Sequence, residues 1–230
     1  MTVVQFVRLR LDLLTLHKKL GFMNLYIVRH GQTDYNKMNM VQGSGIDAPL
    51  NAVGHAQADA FFEAFGSHPF QKIYTSTLKR THQSISRFAM KGLPVEPLQG
   101  LDEISWGNQE GVAFTPETTT LYQETTKKWS EGHLDLSVGG GETPIDVMKR
   151  QQSAMEHILS HDHKEVLVCM HGRALRILMC WLLNYDLSLM DEFKHCNLCL
   201  YKLIYHNGKF RVDLHNYSRH LDNLDASVLR

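Results

Sequence analysis

Two histidines that each follow an apolar run and precede a glycine are the residues of this chain best placed to do chemistry. His30 comes after the apolar residues 25–28 and Arg29, and His171 comes directly after the run 165–170. Such runs are typical of buried parallel strands, whose carboxyl ends meet at the edge where open α/β sheets bind their ligands. We therefore predict that the two histidines share one site.

Two segments between the histidines carry further charged groups. Arg80 falls in the first turn of a predicted helix behind the short strand 73–76, and Glu103 lies in the glycine-punctuated loop 101–111. With His30, Arg29 and His171, these residues make two histidines, two arginines and one acid. Such a set can supply a nucleophile, donors for an anion and a proton.

The order of these segments resembles the histidine phosphatase superfamily, the phosphoglycerate mutase-like group, from about residue 23 to residue 221. Six segments carry the resemblance in order: Arg29 to Thr33 with Asn36; Gln42-Gly43 through Gln57-Ala58; Thr75-Ser76 to Arg80; Glu103 with Gly107 and Glu110-Gly111; Gly140 to Thr143; and His171-Gly172 with Arg176.

The resemblance implies a metal-independent phosphomonoester hydrolase that needs no cofactor. His30 would attack phosphorus to form a phosphohistidine, while Arg29, Arg80 and His171 would bind the phosphoryl oxygens. Glu103 would protonate the leaving alkoxide and later activate water. Further substrate contacts are expected at four positions: Asn36, Gln42, Gly43 and Gly172.

Other assignments compete at several of these positions. Glu110 rivals Glu103 as the acid, although the motif favours Glu103, and Asp102 is a weaker third candidate. Arg173 departs from the small residue that many relatives carry after His-Gly, so it either faces solvent or reaches into the pocket. The pair Lys127-Lys128 either binds a second anionic group of the substrate or forms a solvated helix face.

The reaction type is the main alternative. Mutase relatives carry Arg-His-Tyr-Gly after the acid, where this chain has Ile104-Ser105-Trp106-Gly107. Loss of those polar groups favours a phosphatase over phosphoglycerate mutase-type transfer. A catalytically inactive phospho-ligand-binding protein is a third hypothesis, and the physiological substrate stays open among small phosphorylated metabolites.

Composition agrees with one α/β enzyme domain and indicates few other partners. The 24 basic and 24 acidic residues of this 230-residue chain balance, so its net charge does not steer it toward nucleic acid or a membrane. Fourteen histidines are mostly scattered singly, which disfavours a metal site. Four cysteines favour reduced thiols in the cytoplasm, and for the C-x-x-C pair Cys196 and Cys199 core packing is favoured over metal or redox chemistry. The oligomeric state is open, with a homodimer as one arrangement.

The predicted fold is a three-layer α/β/α sandwich with a mostly parallel mixed central sheet, like that of phosphoglycerate mutase. We expect one domain over residues 23–230, with a cap insertion near 104–140 that lacks a strong apolar period. Residues 1–22 are a basic extension: an amphipathic helix, a targeting arm, or a stretch upstream of the working start at Met23. A nonfunctional extension is favoured over an anchor.

Overall fold

A computed structural model describes residues 21–113, 115–222 and 224. The hypotheses about the N-terminal extension therefore lie, up to residue 20, outside the described residues. Within the described residues, six strands form one sheet with the order β3-β2-β4-β1-β5-β6. The strands are β1 (Phe22–Arg29), β2 (Lys72–Thr75), β3 (Val95–Pro97), β4 (Glu165–Met170), β5 (Leu200–His206) and β6 (Lys209–Tyr217).

The sheet is parallel over its first four strands and antiparallel at the other end. β4 pairs in parallel with both β1 and β2, and β2 pairs in parallel with β3. β5 runs antiparallel to β1 and forms a hairpin with β6 through Asn207 and Gly208, both at positive φ. The predicted mixed sheet and hairpin are confirmed.

Helices cover both faces of the sheet. The helices are α1 (Asp34–Lys37), α2 (Ala52–Phe65), α3 (Lys79–Ser84), α4 (Ser86–Met90), α5 (Pro116–Ser130), α6 (Pro144–Ser160) and α7 (Gly172–Leu182). Alternate residues of a strand point to opposite faces, so Leu25 and Ile27 join a core with α6 and α7, whereas Tyr26 and Val28 join a second core with α2 and α4. These two cores make the predicted three layers.

Caps set the starts of the helices near the site. Asn51 accepts a hydrogen bond from the Gly54 amide at the start of α2, as expected. Thr143 and Asp146 form the expected capping box of α6, with Pro144 as its first residue. α6 is therefore fixed where its Arg150 reaches the loop that carries Glu103.

Two features differ from the expectations. β1 begins at Phe22, so Met23 lies inside the strand and is buried in the core instead of preceding the strand. The segment without an apolar period contains the helix α5, which starts at a capping box of Thr115 and Thr118. Only Thr125 and Trp129 of α5 are buried, so the helix leaves almost no periodic apolar signal. No helix in the described part of the chain is both long and apolar enough to cross a membrane.

Candidate active site

The two histidines meet at the carboxyl edge of the sheet. β1 and β4 are neighbours in register, with Arg29 opposite Met170, and the His30 amide donates to the Met170 carbonyl over 3.0 Å. The ring centroids of His30 and His171 are 5.0 Å apart, and both side chains are buried. The strand ends thus bring together the residues that the sequence places 141 positions apart.

His30 is held in the tautomer that a nucleophile needs. Its Nδ1 lies 2.7 Å from the Gly31 carbonyl oxygen, and because a carbonyl can only accept, Nδ1 carries the proton. The Nε2 lone pair is then free of a proton. Burial, followed by the positive charges of Arg80 and Arg29, lowers the pKa of His30 well below its usual value, so the ring stays neutral near pH 7.

Gly31 holds the His30 loop against the start of α2. A Cβ at Gly31 would lie 2.6 Å from the Gly54 carbonyl oxygen, so only glycine fits at this approach. The Gly31 amide donates to Ser84 Oγ over 2.9 Å, which ties the loop to α3. The nucleophile is therefore fixed by elements on both sides of it.

Arg80 and His171 form a buried pair. Arg80 Nε donates to His171 Nδ1 over 3.1 Å, which leaves the ring proton on Nε2 to donate to Ser76 Oγ at 2.7 Å. The terminal nitrogens of Arg80 donate to the carbonyls of Ile46 and Gly43, so one N–H remains on each. Burial lowers the pKa of Arg80 to about 10, and the charge of Glu103 partly opposes this, so the side chain is still a cation near neutral pH.

Arg29 contributes a second buried guanidinium. Its Nη1 contacts His195 Nδ1 at 3.3 Å, while its Nε is buried and has no hydrogen-bond partner among the described residues. Burial lowers the pKa of Arg29, and the Glu103 carboxylate is the main group that opposes this change. Arg29 thus has an unpaired donor in a place where an anion would pair with it.

Glu103 is buried beside the start of α7. Its Oε1 accepts from the amides of Ile104 and Ala174, and its Oε2 accepts from the Arg173 amide over 3.1 Å. A carboxyl group has about four acceptor positions, so Oε2 retains one that can carry a proton. Sequence reasoning placed this side chain at the rim of the site, whereas the structure buries it against a helix N-terminus, which favours its negative charge.

The two rival carboxylates have other partners. Glu110 Oε1 accepts from the Trp106 amide at 2.9 Å, and its carboxylate packs so close to Gly43 that a Cβ there would lie 2.2 Å from it. Asp102 accepts from the amide and hydroxyl of Thr77. Glu103, and neither of these, is the main acid whose charge acts on Arg29 and Arg80.

The four expected substrate contacts surround the histidines in different ways. Gln42 Oε1 accepts from the Thr33 hydroxyl, and its buried Nε2 has no partner among the described residues. Asn36 Oδ1 already accepts from Asn197 Nδ2 at 3.1 Å. Gly43 gives its carbonyl to Arg80, and Gly172 opens α7 next to His171. Of the four, Gln42 is the one with a spare donor for an anion.

Comparison with known proteins agrees with this arrangement. The model of the histidine phosphatase superfamily (branch 1) matches residues 25–218. The chain belongs to this superfamily.

Individual relatives indicate which branch of the chemistry to expect. Phosphoserine phosphatase 1 of Hydrogenobacter thermophilus is 28% identical and is aligned over 84% of this chain and 98% of its own length. A probable phosphoglycerate mutase of Proteus mirabilis is also 28% identical, over 81% and 86% of the two chains. The structure of a mycobacterial glucosyl-3-phosphoglycerate phosphatase with VO3 superimposes with a TM-score of 0.75 at 25% identity, covering 85% of this chain and 100% of that one. This histidine phosphatase homologue is an enzyme of the phosphatase type, with hydrolysis favoured over the mutase reaction.

Arg173 neither faces solvent nor lies free in the pocket of this histidine phosphatase. The side chain is buried, with Nη1 2.7 Å from Asp191 Oδ1 and Nη2 2.8 Å from the Tyr122 hydroxyl. Its guanidinium also lies 5.5 Å from the centre of the Trp129 ring. Both alternatives from the sequence were wrong, because the partners that bury the charge lie in α5 and before β5.

Two other sequence-level alternatives are now resolved. Lys127 and Lys128 are exposed on α5, and Lys127 Nζ lies 3.9 Å from Glu131, which fits the solvated helix face. Cys199 is buried as expected, but Cys196 is exposed, so core packing was wrong for that residue. Among the described residues, no cluster of three or more His, Cys, Asp or Glu side chains could hold a metal ion.

Sequence reasoning missed the loop before β5. Asn197 Nδ2 donates to the His30 carbonyl at 3.0 Å, the Leu198 amide donates to the Arg29 carbonyl at 3.0 Å, and His195 contacts the Arg29 side chain. These residues lie more than 160 positions after the first strand, in a segment read only for its cysteines. The polar pair His195 and Asn197 before an alternating strand was the available signal.

Proposed function

We propose that this histidine phosphatase hydrolyses small phosphorylated metabolites through a phosphohistidine on His30, without a metal ion. The observation that carries the proposal is the state of His30. Its Nδ1–H is committed to the Gly31 carbonyl, so its neutral Nε2 is available beside the buried side chains of Arg29, Arg80 and His171.

The first step is attack by His30 Nε2 on phosphorus, which breaks the bond to the leaving oxygen. Negative charge on the transferred phosphoryl group is stabilised by donors fixed before the reaction begins. Arg29 Nε, Gln42 Nε2 and the remaining N–H groups of Arg80 are suited to this role. The positive charge of the two arginines supplies what a metal ion supplies in other phosphatases, which supports the metal-independent reaction.

Glu103 acts on the leaving group and then on water. A proton on Oε2 passes to the leaving alkoxide, and the resulting carboxylate takes a proton from the water that attacks the phosphohistidine. The amides of Ile104, Arg173 and Ala174 hold this carboxylate in one orientation through both steps. His30 is regenerated when phosphate leaves.

Hydrolysis is supported over phosphoglycerate mutase-type transfer by the residues that follow Glu103. Ile104 is fully buried in the core, and the buried Trp106 stacks on Trp129 with ring centroids 6.0 Å apart. Neither side chain offers a polar group to a substrate carboxylate. The names of the relatives, phosphoserine phosphatase and glucosyl-3-phosphoglycerate phosphatase, support the same choice.

The test is phosphate release from a panel of phosphomonoesters with EDTA present, comparing the wild-type chain with His30→Ala. We expect release that EDTA does not reduce and that His30→Ala abolishes. His206→Ala is the control, since His206 is exposed at the opposite edge of the sheet. Isomerisation of phosphoglycerate without release would identify a mutase, and binding of phosphate without either reaction would identify an inactive phospho-ligand-binding protein.

A further inference from the structure

The ring of His195 is wedged between the start of α7 and Arg29. Its Nδ1 lies 3.3 Å from Arg29 Nη1. A Cβ at Gly172 would lie 2.8 Å from His195 Cε1 and 2.9 Å from its Nε2, so the absence of a side chain at Gly172 makes room for the ring. The contact therefore needs both His195 and the glycine that follows the second catalytic histidine.

His195 can only accept the Arg29 hydrogen bond. A guanidinium has no acceptor, so Nδ1 carries the lone pair and the ring proton is on Nε2. Burial, and then the positive charges of Arg29, Arg176 and Arg173, lower the pKa of His195 to about 2. The ring therefore remains a neutral acceptor throughout the pH range in which the protein is folded.

The backbone around His195 is fixed to the same strand end. Asn197 holds the His30 carbonyl and Leu198 holds the Arg29 carbonyl, each over 3.0 Å. The loop thus fixes the main chain of both catalytic residues, and His195 fixes the Arg29 side chain. One donor of the guanidinium is occupied, and the buried Nε is left without a partner among the described residues.

We propose that His195 is a positioning residue for phosphoryl binding, which holds the Arg29 guanidinium so that its unpaired Nε meets a phosphoryl oxygen. The inference rests on the proposed function of Arg29. An arginine has a long flexible side chain, and a fork that is held in advance loses less entropy when it pairs with an anion. The residue does not touch the reacting atoms itself, and acts through Arg29.

Three substitutions separate this role from simple packing. Asn places an amide oxygen near the position of Nδ1, Gln places its amide one bond further out, and Leu fills the space with no acceptor. We expect His195→Leu and His195→Gln to raise the KM for a phosphomonoester and the inhibition constant for vanadate about tenfold or more. His195→Asn should stay within about threefold of wild type, with His206→Leu as the matched histidine control.

A double-mutant cycle with Arg29→Met gives the decisive comparison. If His195 acts through Arg29, His195→Leu should cause no further loss of kcat/KM or vanadate affinity in that background. The proposal is overturned if the loss persists there, or if Asn and Leu are equally harmful while thermal unfolding is unchanged. Absence of both phosphate release and vanadate binding in the wild-type protein would instead remove the proposed function on which it rests.

Discussion

At the scale of single residues, the account depends on which carboxyl group moves the proton. Glu103 and Glu110 lie in one loop, but Glu103 faces the helix start next to His171, whereas Glu110 packs on Gly43. We expect Glu103→Gln to lower kcat by about 10²-fold or more with an alkyl phosphate, whose leaving group needs a proton. With p-nitrophenyl phosphate, whose leaving group is stable as an anion, the loss should be much smaller.

Glu110→Gln is the matched control, because a glutamine Oε1 can still accept from the Trp106 amide. Steady-state kinetics with both substrates gives the answer. Equal losses on the two substrates in Glu103→Gln, or a larger alkyl-specific loss in Glu110→Gln, would assign the proton to another group.

The sequence identified these residues by type and order, but it could not identify their partners. Arg29, His30, Arg80, Glu103 and His171 follow local strand and loop patterns that a single chain displays. The His30 tautomer depends on a carbonyl one residue away, and the Arg29 contact depends on a residue 166 positions later. Only the folded chain shows such pairings.

At the scale of elements, α6 supports the loop that carries the proposed acid. Arg150 Nη1 donates to the carbonyls of Gly100 and Asp102, and its Nη2 donates to the Glu103 carbonyl at 3.0 Å. Its Nε also pairs with Glu142 at 2.8 Å. One half-buried side chain therefore fixes the main chain on which Glu103 is mounted.

We predict that Arg150→Met lowers both stability and turnover. Loss of several hydrogen bonds from a charged group should reduce the free energy of unfolding by about 2 kcal/mol, after allowance for partial exposure. The kcat should fall about tenfold because the Glu103 carboxyl is no longer held in place. Urea unfolding and steady-state kinetics measure the two effects. Lys149→Met, on an exposed position of the same helix, should change neither, and an unaltered kcat in Arg150→Met would separate α6 from the reaction.

Most elements could be predicted because their signals are local. β1 and β4 are apolar runs, and α6 has a cap, a proline and an apolar stripe within a few residues. α5 could not be predicted from periodicity, because what it buries is mainly Trp129 and the exposed remainder is polar. The burial of Arg173 likewise depends on α5 and Asp191, so it could not be predicted without the tertiary fold.

At the scale of the whole molecule, the buried histidines make stability depend on pH. The pKa values of His30 and His171 are lowered by burial and then by nearby charge, that of Arg80 first, so the folded state resists protonation. The unfolded chain takes up these protons near pH 6.5. Below that pH the unfolded state binds more protons, so the free energy of unfolding falls as the pH falls, until the lower folded pKa values are reached.

We expect a slope of up to about 1.4 kcal/mol per pH unit for each such histidine below pH 6.5. Urea unfolding at several pH values would measure the slope, and His30→Gln should reduce it, whereas His206→Gln should not. An equal slope in wild type and His30→Gln would show that His30 is not kept neutral by the fold. The same lowered pKa predicts that kcat/KM keeps its neutral-pH value well below pH 6.5.

The covalent intermediate is the central claim, and it can be observed directly. Wild-type protein mixed with a reactive phosphomonoester in the presence of EDTA should be quenched in alkali, which preserves phosphohistidine, then digested and examined by mass spectrometry. The account predicts one phosphoryl group on the peptide that contains His30, bound at its ring, and none in His30→Ala. Phosphate release without that adduct, with the activity retained in His30→Ala, would contradict it.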